Sequence, residues 1–161
     1  MDLTDLILGK EIERKLLVDK GKWEILDKPQ GEALRQGYLL LNPEKTIRVR
    51  LSSQAAFLTI KGITTGATRM EYEYEIPQTE ASELLNNFSV SSLSKIRYKI
   101  KNGDKTWEVD VFEGENAGLI IAEIELNHEH EKFPIPEWVG QEVTNEAKYY
   151  NSNLTTLPYN K

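Results

Sequence analysis

The sequence has no cysteine, which excludes disulfides and thiolate metal sites; any metal would have to be held by carboxylates, the two histidines, carbonyls or water. It also lacks a long apolar run. The opening stretch MDLTDLILGKEIER is broken by Asp2, Asp5 and Lys10, which fits neither a signal peptide nor a membrane span, so no membrane partner and a cytoplasmic location are expected. An excess of positive charge is missing as well. Twenty Lys and Arg stand against 26 Asp and Glu, a net charge of −6 with pI near 5.1. Phosphate backbones attract basic proteins, so no nucleic-acid partner is expected, although a basic pocket inside an acidic protein is still compatible with these totals. There is no internal repeat, low-complexity tract or linker. The 161 residues are expected to form one domain, 1–161, with a single core.

What the sequence does have is a series of short alternating segments between turn signals. Strands are expected at 10–18, 35–41, 46–51, 57–61, 68–76, 93–101, 106–112 and 118–127, separated by turn-like stretches such as Asn42-Pro43, Gly66 and Asn102-Gly103-Asp104. Helices are expected at 79–88, with Thr79 as its cap, at 141–154, and over a short piece at 21–26.

Side chains alternate faces along a strand, so every second residue points the same way. Glu11, Glu13 and Lys15 share one face, opposite Ile12, Leu16 and Val18. The same division sets Arg48 and Arg50 against Ile47, Val49 and Leu51, and Lys61 and Thr59 against Leu58 and Ile60. Glu71, Glu73 and Glu75 oppose Met70, Tyr72, Tyr74 and Ile76; Lys95, Arg97 and Lys99 oppose Ile96, Tyr98 and Ile100. Glu108 and Asp110 oppose Trp107, Val109 and Val111, while Glu123 and Glu125 oppose Ile120, Ala122, Ile124 and Leu126. An ordinary sheet with one wet face would show the alternation, but its polar face would be rich in Thr, Ser and Gln. Here the polar positions are almost all charged, and like charges are grouped by strand, which repel at close range. A ligand set carrying both signs resolves this: a polyphosphate for the basic pairs and metal cations for the acidic ones. About eight strands is also the number at which a barrel encloses one small ligand. The fold class expected is α+β, an eight-stranded antiparallel barrel with a charged lumen and helices packed outside.

The motif Glu11-Ile-Glu13-Arg-Lys15 resembles the E-x-E-x-K signature of the CYTH superfamily, the triphosphate tunnel metalloenzymes. The resemblance continues in order through Leu34–Leu39, Ile47–Arg50, Leu58–Lys61, Arg69–Glu73, Ser94–Tyr98, Trp107–Phe112, Ala122–Leu126 and Glu142–Leu154. It implies an eight-stranded antiparallel tunnel and metal-dependent chemistry on triphosphates, with the short bacterial tripolyphosphatases as the nearest type. Lys148 stands where similar sequences often have Arg, which keeps the charge and loses a planar donor fork. Glu75 is an acid beyond the usual pair.

On this reading Lys15, Arg48, Arg50, Lys61, Lys95 and Arg97 form a phosphate clamp, with Lys148 added from the C-terminal segment. Glu11, Glu13, Asp110, Glu123 and Glu125 are the expected metal ligands, with Glu71 elsewhere in the lumen. Ligation by oxygen alone selects a hard cation, Mg²⁺ or Mn²⁺. Lys15, Glu13, Glu73 and Tyr38 are the candidates for catalysis and proton transfer, and the identity of any base stays open. Hydrolysis of inorganic tripolyphosphate or a related triphosphate is the function expected. The alternatives are an adenylate cyclase on the same scaffold, or a module that binds polyphosphate or nucleotide without turnover.

Other signals are read as structural. His128 and His130 fall in a polar, turn-like stretch without H-E-x-x-H spacing and are expected in a solvated loop. The triplets Asn87-Phe-Ser and Asn153-Leu-Thr match a glycosylation pattern but lack a secretion signal. Trp23, Trp107 and Trp138 are expected in the core or wall, and Tyr149, Tyr150 and Leu154 as packing for the last helix.

Overall fold

The computed structural model describes residues 9–160, so the reading of the first eight residues lies outside the described part of the chain. Strands β1 (Lys10–Val18), β2 (Glu32–Asn42), β3 (Lys45–Leu51), β4 (Ala56–Lys61), β5 (Thr68–Ile76), β6 (Ser91–Asn102), β7 (Lys105–Phe112) and β8 (Ile120–Glu125) form one antiparallel sheet in the order β5-β4-β3-β2-β6-β7-β8-β1. Pairing of β1 with β5, Glu11 opposite Arg69, closes that sheet into an eight-stranded barrel. A short ninth strand, β9 (Val139–Glu142), adds to β1 beside a register shift between Leu16 and Val18.

The turn chemistry is where the sequence placed it. Gly103, at φ +68°, takes the left-handed conformation in the two-residue connection of β6 and β7, where Asn102 pairs with Lys105. Asn42 Oδ1 accepts from the amides of Glu44 and Lys45 and shapes the β2–β3 turn.

The apolar faces point outward. Helix α1 (Lys20–Ile25), capped by Asp19 Oδ1 accepting from Lys22 N, lays Trp23 on the outer face of β1, β6, β7 and β8. Trp23, Trp107 and Trp138 meet edge to face, Trp23–Trp138 at 5.8 Å and Trp107–Trp138 at 5.9 Å between ring centroids. Helix α2 (Gln78–Phe88) covers β2–β4 with Ala81 and Leu85, four apart and therefore on one face. Gly37 lies under it, where a Cβ would stand 2.6 Å from Leu85 Cδ2, so a larger residue would force the Leu85 and Ser89 side chains to shift. The helix starts at Gln78 behind Pro77, not at a Thr79 cap; proline's missing N–H is no loss at a helix start. On β4–β5 the outer residues Ile60, Met70, Tyr72 and Tyr74 stay exposed.

The expected helix over 141–154 does not form. Gln141 and Glu142 belong to β9, residues 147–149 make one 3-10 turn, and only Asn151–Thr156 is helical, α3. Nor does α3 pack on the outside. Leu154 joins Leu93, Phe112, Leu119 and Ile121 in a separate apolar cluster flanked by Leu17. Leu93, Phe112 and Ile121 sit opposite Gln36, Lys95 and Asp110, and Leu17 opposite Ile121, so all four point into the lumen. One end of the barrel is therefore apolar and plugged by α3. At the other end Glu73, Glu75, Lys99 and Glu125 are exposed.

Trp107 is fully buried at the centre of the outer cluster. Trp107→Ala is expected to cost about 3–5 kcal/mol through the cavity it leaves. Urea unfolding checks this, and a loss below about 1 kcal/mol, outside the usual cost of removing a buried aromatic, would contradict the assignment of the core to the outer face.

Candidate functional site

The lumen encloses a cavity of about 200 Å³ lined by thirteen residues. Seven are acidic (Glu11, Glu13, Glu71, Glu73, Glu108, Glu123, Glu125), five are basic (Arg48, Arg50, Lys61, Arg69, Arg97), and Asn151 is neutral. Barrel closure produces this set: inward positions on separate strands face one space, as the alternation requires. A narrow crevice toward the plugged end brings in Lys15, Tyr38 and Tyr150.

Much of the charge is paired across strands. Lys61 Nζ lies 3.1 Å from Glu11 and 3.3 Å from Glu71, and Arg69 Nε donates to Glu11 at 3.2 Å. Lys95 Nζ and Arg97 both donate to the fully buried Asp110, at 2.6 Å and at 2.7 and 2.9 Å. Lys15 Nζ lies 3.8 Å from Glu123 Oε1, and Arg97 Nη2 lies 3.6 Å from Glu123 Oε2. The like-charge grouping along each strand is thus offset by opposite charge on the next.

Two groups are left over. Arg48 stands across from Tyr38 and Thr59, and Arg50 across from Gln36 and Phe57, so neither has an acidic neighbour in register. Among the described residues neither makes an ion pair; Arg48 Nη2 donates only to Thr59 Oγ1, at 3.4 Å, and its Nε has no partner. Burial, with Arg48 and Arg97 nearby, lowers the pKa of Arg50. The acids show the converse. Glu13 sits opposite Glu125, and Glu123 opposite Glu108. Burial and the charges of Glu123 and Glu11 push Glu13 well above the carboxylate range. Burial, with Glu11 and Glu108, raises Glu125 too. Burial alone would raise Glu123, but Lys15, Arg97 and Lys95 hold it well below.

A divalent cation fits the chemistry of these acids. They offer only oxygen donors, and a positive charge between Glu13, Glu123 and Glu125 would offset the burial and the acidic repulsion that raise Glu13. The ligand set is not preassembled: among the described residues no three acids or histidines already converge on one point. Asp110 is committed to Lys95 and Arg97, and Glu11 to Lys61 and Arg69, which leaves Glu13, Glu123 and Glu125 with the weaker commitments.

The structure thus brings together twelve residues of the sequence reading in or along the lumen. Glu11, Glu13, Lys15, Tyr38, Arg48, Arg50, Lys61, Glu71, Glu73, Arg97, Glu123 and Glu125 line the cavity or its crevice. Tyr38 lines the crevice beside Arg48, and Lys95 and Asp110 lie fully buried in the wall. Glu73 accepts from Thr59 Oγ1 at 3.1 Å near the open end. Lys148 is not brought in. It is exposed and lies over the Tyr149 ring at 5.0 Å, because the segment breaks into a turn before α3 and presents Tyr150 and Asn151 inward. Arg69 was missed although period two carries it, two before Glu71, and Glu108 was placed on the charged face beside Asp110 but given no role in the site. Asn151 carried no signal. His128 and His130 are exposed in a turn.

Glu71 is raised from 4.5 to about 7 by burial and its neighbour Glu11, against the pull of Lys61. A carboxyl raised on folding keeps a proton that the unfolded chain releases, so its share of stability is present at low pH and lost as pH rises through about 7. Metal-free protein is expected to lose stability between pH 4.5 and about 7 in part through this group, and Glu71→Gln to flatten that fall. Urea midpoints across this range check it; parallel profiles for the two proteins would contradict it.

A model of the CYTH domain matches residues 9–158. An inorganic triphosphatase from Acetivibrio thermocellus is 47% identical over 153 residues, 94% of this chain and 97% of that protein. One from Nitrosomonas europaea is 37% identical over 153 residues, 89% of this chain and 95% of that protein. A crystal structure of an inorganic triphosphatase superposes with TM-score 0.62 at 32% identity, covering 90% of this chain and 93% of that one. A putative adenylate cyclase from Bacillus halodurans, 19% identical with TM-score 0.57 over 76% of this chain and 84% of that one, shares the fold. With the family model covering nearly the whole barrel, the chain belongs to the CYTH domain family.

Proposed function

We propose that this protein hydrolyses inorganic tripolyphosphate, or a closely related triphosphate, with the help of a divalent metal ion. The observation that carries the reading is the pair Arg48 and Arg50, enclosed cations without an acidic partner among the described residues, facing acids that stand against acids. A polyanion answers the first and a cation the second.

The triphosphate would enter at the open end, past Glu73, Glu75, Lys99 and Glu125. Arg48 and Arg50 bind phosphate oxygens through their planar forks, and Lys15, Lys61 and Arg97 add positive charge around the chain of phosphates. Glu13, Glu123 and Glu125, with Glu11 and Glu108 beside them, would hold the ion, Mg²⁺ or Mn²⁺, which supplies charge against the phosphoryl oxygens and acidifies water. Phosphoryl transfer needs little beyond positioning and electrostatic stabilisation, and a closed lumen strengthens both by excluding bulk water. Lys95, held at about 8 mainly by burial and kept charged by Asp110, anchors the basic wall beneath the site. The cyclase alternative calls for an apolar slot for a purine. Among the described residues the cavity lining has no aromatic or aliphatic side chain, and the rings of Tyr38 and Tyr150 lie only along the narrow crevice beyond it, which favours an inorganic substrate.

The test is phosphate release from tripolyphosphate, ATP, thiamine triphosphate and pyrophosphate with Mg²⁺ or Mn²⁺, together with an assay for cyclic AMP. Tripolyphosphate is expected to be cleaved best, with no cyclic AMP from ATP. Arg48→Ala is expected to lower kcat/KM by roughly 10²–10³-fold by removing transition-state charge stabilisation. Glu123→Gln is expected to abolish the rise in Tm that Mg²⁺ gives the parent protein. No turnover with any metal, or full turnover in Arg48→Ala, would overturn the reading.

A further inference from the structure

Twelve of the thirteen residues lining the cavity are charged, and the exception, Asn151, comes from the plug. It is the first residue of α3, the helix that closes the apolar end of the barrel. Its position is held from several sides. Leu154 is buried among Leu93, Phe112, Leu119 and Ile121, and Ser91 Oγ donates to Thr155 Oγ1 at 2.8 Å. Lys15 Nζ donates to Tyr149 O at 3.4 Å and lies over the Tyr150 ring. A side chain carried on a fixed element can bind a ligand without first losing much freedom.

The orientation of the carboxamide follows from its neighbour. Lys95 Nζ donates to Asn151 Oδ1 at 3.2 Å. An ammonium can only donate, so the amide oxygen must face Lys95, and the NH₂ group turns away from it. Among the described residues no acceptor takes those two N–H donors. Asn151 borders both the charged cavity and the crevice beside Arg48 and Lys61, so its two donors are available to phosphate oxygens lying there. Being neutral, the group adds donors without disturbing the balance of Lys95, Arg97 and Asp110.

We propose that Asn151 is a substrate-binding residue, donating from Nδ2 to the terminal phosphoryl group at the closed end of the lumen. This rests on the triphosphatase reading. It gives the plug a second task besides sealing the barrel: it completes the site, so bound substrate and docked helix stabilise each other. The substrate must then arrive with one unsubstituted phosphate end, since α3 leaves only a narrow crevice beyond it.

The test compares Asn151→Ala, Asn151→Asp and, as a control for plug docking, Thr155→Val, which leaves the lumen lining unchanged. Binding of inorganic tripolyphosphate is measured calorimetrically without metal, kcat and KM are measured with Mg²⁺, and Tm is measured for each protein. Losing a hydrogen bond to a charged phosphate is expected to weaken binding about tenfold or more in Asn151→Ala. Asn151→Asp, which cannot donate and repels the anion, is expected to weaken it about 100-fold. Thr155→Val is expected to lower Tm while binding stays within about threefold, a change smaller than one lost hydrogen bond to a charged group. Unchanged binding in Asn151→Asp would overturn the inference and leave the triphosphatase reading intact, as would loss of binding in all three variants in proportion to Tm. If the parent protein neither binds nor cleaves tripolyphosphate, the functional reading fails and this inference with it.

Discussion

The structure depends on keeping a dozen charged side chains inside a closed barrel. Desolvating a charge is costly unless it is paired and hydrogen-bonded, and the lumen achieves this by register: Lys61 beside Glu71, Arg97 beside Asp110, Lys15 beside Glu123. The pairing is incomplete in a directed way. Arg48 and Arg50 face neutral neighbours, while Glu13 and Glu125 face each other. The folded state can hold this imbalance because burial and the neighbouring acids favour the neutral form of Glu13 and the arginines border a cavity. Ligands of both signs would lower the energy of the same residues that the fold alone leaves strained electrostatically.

Everything outside the lumen serves to keep that face inward. Since the polar side of each strand is enclosed, the apolar side needs cover from outside, which Trp23, Trp138, Ala81 and Leu85 provide from short elements except over β4–β5, where it stays exposed. Only α3 works from within. Its Leu154 ends the lumen in an apolar cap, so the charged chamber opens at one end and a substrate meets a fixed floor.

The barrel was readable from the sequence because apolar and charged residues alternate through the middle of most strands and turn residues mark several of their ends. Arg48 and Arg50 set against Val49, or Glu71 and Glu73 against Tyr72, leave one assignment of faces, and Gly103 marked its hairpin. The lumen was readable for the same reason. Period two says which residues share a face, and closure turns that face into a cavity. What stayed hidden lies after residue 138, where no period operates. The segment 141–154 has helix-compatible residues, but backbone pairing with β1 takes Gln141 and Glu142 into a strand, and Glu146 O accepting from Tyr149 N starts a tight turn. That break moves Lys148 outside and Asn151 inside, a difference of three positions that depends on tertiary contacts alone. Cross-strand register was hidden too, and with it the pairing that makes the segregated charges tolerable.

The most direct measurement is an anomalous difference map from crystals grown with Mn²⁺ and tripolyphosphate. The Mn²⁺ peak is expected among Glu13, Glu123 and Glu125, with phosphate density against Arg48 and Arg50. A peak on the outer surface, or phosphate density away from both arginines, would contradict it.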